Sequence, residues 1–147
     1  MSIKAMNAYQ KGGLKQQVAS ADPHKLTLML MQGALDKMAY AKGCINRSDL
    51  KGRSDNISKT TAIFINLRDT LNIEVGGDFS QNMLNLYNYM IDKLTEINTE
   101  NGIAIIDEVI SLFGPIKEAW AAIPEQAKQE AYAQSQQMSQ VQTQTSP

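Results

Sequence analysis

The hydrophobic positions between residues 23 and 41 recur at helical spacing and form two neighbouring stripes. The first stripe consists of Leu26, Leu30, Ala34, Met38 and Ala41, and the second of Leu28, Met31, Leu35 and Ala39. A surface helix needs only one such stripe to reach the core of a small domain. The second stripe is therefore expected either to pack on another helix of this chain or to bind another molecule.

The hydrophobic pattern of the whole chain predicts four helices and no strand. The first helix begins with Asp22 as its N-cap and Pro23 at its first position, and it runs to about Ile45. Apolar residues at steps of three and four predict the other helices at about 51–72, 79–98 and 103–124, and the apolar stripe of the third helix begins at Phe79. Because the connections are only about 5–10 residues long, we expect an all-α, antiparallel up-and-down four-helix bundle with an N-terminal arm and a disordered C-terminal tail.

The bundle is predicted to span residues 22–124 and to be flanked by two segments of different character. Residues 1–21 are expected to be a mobile arm or lid, because a Gly-Gly pair interrupts any helix there while spaced apolar residues could still dock. Residues 125–147 are rich in Gln and Ser, and their last part lacks an apolar period. This tail is therefore expected to be largely disordered.

Glycine and proline mark two further positions within the predicted bundle. Gly76-Gly77 supplies the positive φ angles that a turn before the third helix can require. Gly114-Pro115 falls inside the fourth helix, where proline removes one hydrogen bond and crowds the preceding turn. We therefore expect a bend near Leu112.

Composition excludes several classes of protein. The 147 residues are 43% hydrophobic, and they contain no apolar run long enough for a membrane span. The beginning of the sequence shows no signal-peptide pattern, which makes the cytoplasm the expected compartment, and the single cysteine, Cys44, is expected to be a buried structural thiol.

The net charge of −1 conceals an asymmetry along the chain. Residues 1–68 carry 11 basic and 4 acidic side chains, and residues 69–147 carry 3 and 11. Pairing between antiparallel helices of the two halves is the favoured explanation, and a basic face for an acidic partner is the alternative. The basic residues lack interleaved aromatic residues, so nucleic-acid binding is not expected.

No residue set of the sequence indicates catalysis, a cofactor site or a metal site. The chain has one histidine, His24, and it lacks the Glu-x-x-His pairs of metal-binding bundles. A phosphotransfer domain would need an exposed imidazole in the middle of a helix, whereas His24 stands at the second helical position and is expected to be a surface residue. Asp107-Glu108 is an adjacent carboxylate pair that we interpret as solvated charges. We therefore expect a binding protein and not an enzyme, with His phosphotransfer as a remote alternative.

Four segments of the sequence, taken in order, resemble the FliS family of flagellin-specific secretion chaperones. They are AYQ near the N-terminus, DPHKLTLMLMQGAL in the first helix, LNIEVGGDFSQNMLNLYNYM around the third helix, and IKEAW near residue 120. The family's usual Ser-Pro is Asp-Pro here, and its usual Leu-Tyr-Asp-Gly-Ala is Leu-Met-Gln-Gly-Ala.

This resemblance implies a cytoplasmic export chaperone without ATPase activity. Its cargo would be the unstructured C-terminal segment of flagellin, which it would protect from premature polymerisation and present to FlhA, a component of the type III export gate. An anti-sigma factor is left open as a further partner. A chaperone for a different flagellar or type III cargo is the nearest alternative.

The resemblance and the hydrophobic pattern together predict which residues bind the partner. Ile3, Met6 and Tyr9 of the arm are expected to cover the second stripe when cargo is absent. The predicted groove residues are Leu28, Met31, Leu35 and Tyr89. Leu26, Leu30, Ala34, Leu67 and Trp120 are assigned mainly to the core, and Gly33 to close helix packing.

Overall fold

The computed structural model describes residues 22–71 and 73–124 and the single positions 127, 130 and 133, with the backbone alone over 73–76. Within these residues the chain forms four helices and no strand: α1 (Pro23–Asn46), α2 (Leu50–Asp69), α3 (Ile73–Thr95) and α4 (Gly102–Ala121). The all-α prediction is confirmed. The predicted arm at 1–21 and most of the predicted tail at 125–147 lie outside the described residues. The three described positions of the tail are helical and exposed.

The chain divides into two compact units. Residues 29–119 form one unit, which holds most of all four helices. The other unit contains the described residues 22–28 and 120–124.

The helix starts follow from capping chemistry. The carboxylate of Asp22 accepts a hydrogen bond from the Lys25 amide at 2.7 Å, which confirms the predicted N-cap of α1. Asp49 caps α2 in the same way, since its side chain accepts from the Gly52 amide at 2.9 Å.

Helix α3 begins earlier than predicted and is interrupted at Gly77. This glycine has φ 56° and ψ −133°, so the expectation of a positive φ in the Gly-Gly pair is confirmed. Residues from Ile73 onward are nevertheless helical, where the sequence predicted a connection up to about Phe79.

Helix α4 continues through Pro115 to Ala121, so the proline does not end it. A side chain before a helical proline would crowd the pyrrolidine ring, and Gly114 has none. The bend expected near Leu112 stays a prediction.

Within the unit 29–119, contacts at both ends of α2 and α3 show that these helices are antiparallel. Arg53 lies 3.4 Å from Thr99, just past the end of α3, while Arg68 at the end of α2 donates to Asn88 at 3.0 Å. Contacts of α4 with its two neighbours are Lys42 to Asp107 on α1 and Tyr89 to Glu108 on α3. The up-and-down arrangement follows.

An aromatic cluster lies at the centre of this unit. The Phe64 and Phe113 rings meet edge to face with centroids 4.8 Å apart, and Tyr87 lies 6.2 Å and 6.4 Å from them. All three side chains are buried, as are Met38 and Met90. Edge-to-face aromatic contacts add about 0.5–1.5 kcal/mol each beyond the area that they bury, so residues of α2, α3 and α4 stabilise one another here.

The core assignments from the sequence are partly confirmed. Ala34, Leu67 and Cys44 are buried, whereas Leu26 and Leu30 are half-buried.

The prediction of close helix packing at Gly33 is wrong. A Cβ placed on it would meet its nearest neighbours, Ile63 and Lys37, only at 3.8 Å. Close approach occurs instead at Gly102, where an added Cβ would lie 2.7 Å from the Ile45 side chain.

His24 was expected on the surface, and this prediction is wrong. His24 is only 8% exposed and stacks on Trp120, with ring centroids 5.1 Å apart and planes 8° from parallel. Its Nε2 lies 2.6 Å from the Trp120 carbonyl oxygen, and the Trp120 indole N–H donates to the His24 carbonyl at 3.1 Å. The aromatic partner is 96 residues away in sequence, so the helical period of α1 alone could not show it.

Candidate partner-binding surfaces

The structure places the predicted groove residues in different environments. Leu28 is half-buried and belongs to the unit that contains the described residues 22–28 and 120–124. Met31 is only 3% exposed, Leu35 is half-buried, and Tyr89 is 42% exposed. The predicted lid residues Ile3, Met6 and Tyr9 lie outside the described residues.

One apolar surface lies where α1 meets α4. We call it the α1/α4 groove and define it by Leu35, Ala39, Ile110 and Gly114. An ion pair between Lys42 and Asp107, with N and O 2.5 Å apart, lies at the end of the groove nearest the C-terminus of α1 and the N-terminus of α4. Leu35 lies two turns before Lys42 and Gly114 two turns after Asp107, so the antiparallel helices bring Leu35 and Gly114 to the same level.

The α1/α4 groove is shallow, and its apolar side chains are partly accessible. Leu35 and Ile110 are half-buried, and Ala39 is exposed. Apart from Gly114 itself, its chain neighbours and the nearby backbone of α4, no atom of the described residues lies within 4 Å of a Cβ built on Gly114. The space above this glycine is therefore open among the described residues, and the groove extends for about 10 Å, the length of two helical turns.

A second apolar surface lies where α3 meets α4. We call it the α3/α4 strip and define it by Phe79, Leu86 and Tyr89 on α3 and Leu112, Pro115 and Ala119 on α4. The Tyr89 hydroxyl donates a hydrogen bond to the Glu108 carboxylate, which fixes the register of the two helices. Because α3 and α4 are antiparallel, a residue before Tyr89 on α3 lies level with one about as far after Glu108 on α4. Phe79, ten residues before Tyr89, is therefore level with Glu118 and Ala119.

Charged groups surround Tyr89. The Lys93 ammonium lies 5.6 Å from the centre of the Tyr89 ring and 3.4 Å from a Glu96 carboxylate oxygen. The hydrogen bond to Glu108 raises the pKa of Tyr89, and the hydrogen bond to Glu96 raises the pKa of Lys93. Both side chains therefore keep their protons at neutral pH, and Tyr89 acts there as a hydrogen-bond donor.

The predicted residues Leu35 and Tyr89 do not share a surface, because α4 separates them. Asp107 reaches α1 and Glu108 reaches α3. Neighbouring residues on a helix point about 100° apart, so the two carboxylates hold neighbouring helices on different sides of α4. The two carboxylates are accessible to solvent, as expected, but the sequence did not show that each also binds a side chain of a neighbouring helix.

Sequence reasoning missed Phe79 as a surface residue. It was expected in the apolar stripe of the third helix, yet it is 72% exposed. The register set by Tyr89 and Glu108 brings it level with Ala119, which is itself exposed and has a short side chain. The short side chains near the end of α4 were a usable signal, but only once the pairing of α3 with α4 was known.

The described part of the chain contains no group of three or more His, Cys, Asp or Glu residues that could hold a metal ion. Among its helices, none is long and apolar enough to cross a membrane. A helical bundle with two partly exposed apolar surfaces is typical of proteins that bind other polypeptides.

Comparison with known proteins identifies the family. The family described as "Flagellar protein FliS" matches residues 5–127. The chain is 38% identical over 122 residues to the flagellar secretion chaperone FliSB of Pseudomonas aeruginosa, covering 83% of this chain and 97% of that protein. It is 33% identical to the flagellar secretion chaperone FliS of Vibrio cholerae, over 82% of this chain and 88% of that protein. The corresponding protein of Salmonella typhimurium is 34% identical, over 86% and 94%.

This chain belongs to the FliS family. It is thus a member of a family of flagellar secretion chaperones, not of enzymes, and the resemblance seen in the four sequence segments is confirmed.

Proposed function

We propose that this chain is a cytoplasmic flagellar export chaperone whose cargo is the disordered C-terminal segment of flagellin. By covering that segment it prevents premature polymerisation, and it hands the subunit to FlhA at the type III export gate. The observation that carries the proposal is the match to the FliS family over residues 5–127. The α1/α4 groove supports it, since it offers apolar surface to a visiting helix.

The energetics require more contact than this groove alone offers. A disordered segment that folds as it binds loses about 2–5 kcal/mol in ordering. Stable binding of such a segment therefore calls for an extended interface, on the order of 2,000 Å² in total. We propose that the α1/α4 groove, about two turns long, holds one anchoring helix of the cargo while the rest of the segment continues along the bundle.

A charge placed in the groove tests this assignment. Ala39 and Tyr40 are adjacent, and both are exposed, but only Ala39 belongs to the α1/α4 groove. We expect Ala39→Lys to weaken binding of a peptide made of the last ~40 residues of flagellin by about tenfold or more, because an ammonium would be desolvated beneath the cargo. The matched variant Tyr40→Lys adds the same charge one residue away and should bind as the wild type does.

The readout is a calorimetric titration, with a peptide of scrambled order as the control for nonspecific binding. Circular dichroism checks that both variants keep the helical content of the wild type. If the two variants bind the peptide with equal affinity, the cargo does not bind in the α1/α4 groove. If the wild type does not bind the native peptide more tightly than the scrambled one, flagellin is not the cargo.

The predicted arm gives a separate test. If Ile3, Met6 and Tyr9 compete with the cargo, deletion of residues 1–15 should change flagellin affinity and increase hydrogen exchange in α1. No change in either measurement would reject a covering role for the arm.

Three alternatives are weighed against the flagellin proposal. A different flagellar or type III cargo, or an anti-sigma factor as a second partner, would be found by capture from motile cells and then by direct titration. Phosphotransfer through His24 is disfavoured, because the imidazole is buried and its Nε2 is hydrogen-bonded to the Trp120 carbonyl.

The hand-off to FlhA predicts that the loaded chaperone binds FlhA more tightly than the free chaperone does.

A further inference from the structure

The proposed anchoring of the cargo in the α1/α4 groove leaves the α3/α4 strip without an assigned role. Phe79 is 72% exposed and Tyr89 is 42% exposed, and half-buried Leu86 lies between them on the same helix. Contiguous exposed apolar residues on a small protein mark interaction sites. We propose that the α3/α4 strip is a docking surface for a basic amphipathic helix of a partner polypeptide, separate from the groove that binds the cargo.

The shape of the strip fits one short helix. Phe79 and Tyr89 are ten residues apart on α3, which corresponds to about 15 Å along the helix axis. Leu86 and Leu112 are half-buried and form the floor between the two aromatic residues. A visiting helix of about three turns can therefore place apolar residues over the leucines, with Phe79 and Tyr89 as anchors at the two ends.

The charge of the strip determines which helix it accepts. The carboxylates on or beside it belong to Asp78, Glu96, Glu108 and Glu118. Lys93 is the one basic residue on the described part of this surface, and it already lies against Glu96. Lysine or arginine side chains flanking the apolar stripe of a partner helix are attracted to this rim, whereas an acidic helix is repelled.

The placement of the strip keeps this site apart from the cargo. Glu108, on the strip side of α4, faces α3, whereas Asp107 faces α1 and the α1/α4 groove. One chaperone can therefore hold its cargo on one side of α4 and a second polypeptide on the other. The occupant that we propose is a different polypeptide that presents a basic amphipathic helix, and the test below distinguishes it from a second copy of this chain.

The test uses the full chain and synthetic helical peptides of about 14 residues, long enough to cover the strip. One peptide has leucine at helical spacing with lysine elsewhere, the second replaces lysine by glutamate, and the third scrambles the leucine–lysine order. The protein variants are the double variant Phe79→Ser/Tyr89→Ser and the control Tyr40→Ser. Tyr40 is 67% exposed and lies outside both surfaces, so the control removes an aromatic ring about as exposed as that of Phe79, at 72%.

We expect the leucine–lysine peptide to bind the wild type at least about tenfold more tightly than the other two peptides, with an affinity that falls as salt is raised. The double variant should weaken this binding about tenfold or more, while Tyr40→Ser and the groove variant Ala39→Lys leave it unchanged. Circular dichroism checks that the double variant is folded, which its exposed positions allow.

Four results would overturn the proposal. The first is equal binding of the leucine–glutamate peptide, and the second is an equal loss with Tyr40→Ser. The third is a wild-type dimer in sedimentation that the double variant abolishes, because it would assign the strip to a second copy of the chain. The fourth is loss of peptide binding in Ala39→Lys, because it would show that the α1/α4 groove and the α3/α4 strip are not separate binding surfaces.

Discussion

Two helical glycines are predicted to respond in opposite directions to alanine. Gly52 lies in the first turn of α2, and its amide donates to the capping carboxylate of Asp49 at 2.9 Å. A Cβ built on Gly52 would lie 2.7 Å from the Cys44 sulfur and would also collide with the Asp49 carboxylate. Cys44 is only 4% exposed, so its sulfur has little room to move.

The size of the effect follows from three contributions. Displacing the Asp49 cap costs about 0.5–2 kcal/mol, typically about 1 kcal/mol. Overpacking against the buried sulfur costs about 1–3 kcal/mol. Replacing glycine by alanine in a helix returns about 0.5–1 kcal/mol. Gly52→Ala should therefore lower the free energy of unfolding by about 2 kcal/mol, with the overpacking contribution deciding the sign.

Gly33 provides the matched control in α1. Its added Cβ would meet Ile63 and Lys37 at 3.8 Å, which is ordinary van der Waals contact. Gly33→Ala should therefore raise the free energy of unfolding by about 0.5–1 kcal/mol, the helical advantage of alanine alone. Urea titrations followed by far-ultraviolet circular dichroism measure both changes, provided that the slope of the transition stays constant.

A double-mutant cycle identifies the cause. If the collision with Asp49 contributes, Gly52→Ala should cost less in a chain that already carries Asp49→Ala. The reasoning is refuted if Gly52→Ala and Gly33→Ala shift the unfolding midpoint in the same direction.

Three further predictions concern a buried tyrosine, an aromatic contact and an ion pair. Burial raises the pKa of Tyr87 to about 12 from an ordinary value of 10.0, so the free energy of unfolding should fall as pH rises from about 10 towards 12. In urea titrations over this pH range, Tyr87→Phe should make that fall smaller. An equal pH dependence in the variant and the wild type would contradict this prediction. Trp120→Phe keeps a ring against His24 but loses the indole hydrogen bond, so unfolding should become easier by about 1–2 kcal/mol, whereas no loss in the same titration would leave that bond without a structural role. Asp107→Asn removes a partly exposed ion pair with Lys42 and should cost less than about 1 kcal/mol, with the difference vanishing at high salt; a larger, salt-independent loss would show that the pair is effectively buried.

Local features of the fold were predictable because local chemistry decides them. The Asp22-Pro23 start of α1 follows from capping, and the positive φ of Gly77 follows from the freedom of glycine. The helix bounds agree with the apolar period to within a few residues, except that α3 begins before Gly77. The four segments shared with the FliS family were also visible in the sequence, and the family match over residues 5–127 confirmed them.

Which side of a helix is covered depends on its neighbours, and the period of one helix does not contain that information. The sequence placed Phe79 in the apolar stripe of the third helix and His24 on the surface, whereas the structure exposes Phe79 and buries His24 against Trp120. It also grouped Leu35 with Tyr89, which the two neighbouring carboxylates of α4 place on different surfaces.

The number of helices, their caps and the family could thus be predicted from the sequence, since these depend on residues close together in the chain or on their order along it. The tertiary structure alone decided where the apolar surplus emerges, and it divided that surplus between the α1/α4 groove and the α3/α4 strip. The physical reason is that burial is a property of pairs of helices, and their pairing is set by contacts between residues far apart in sequence.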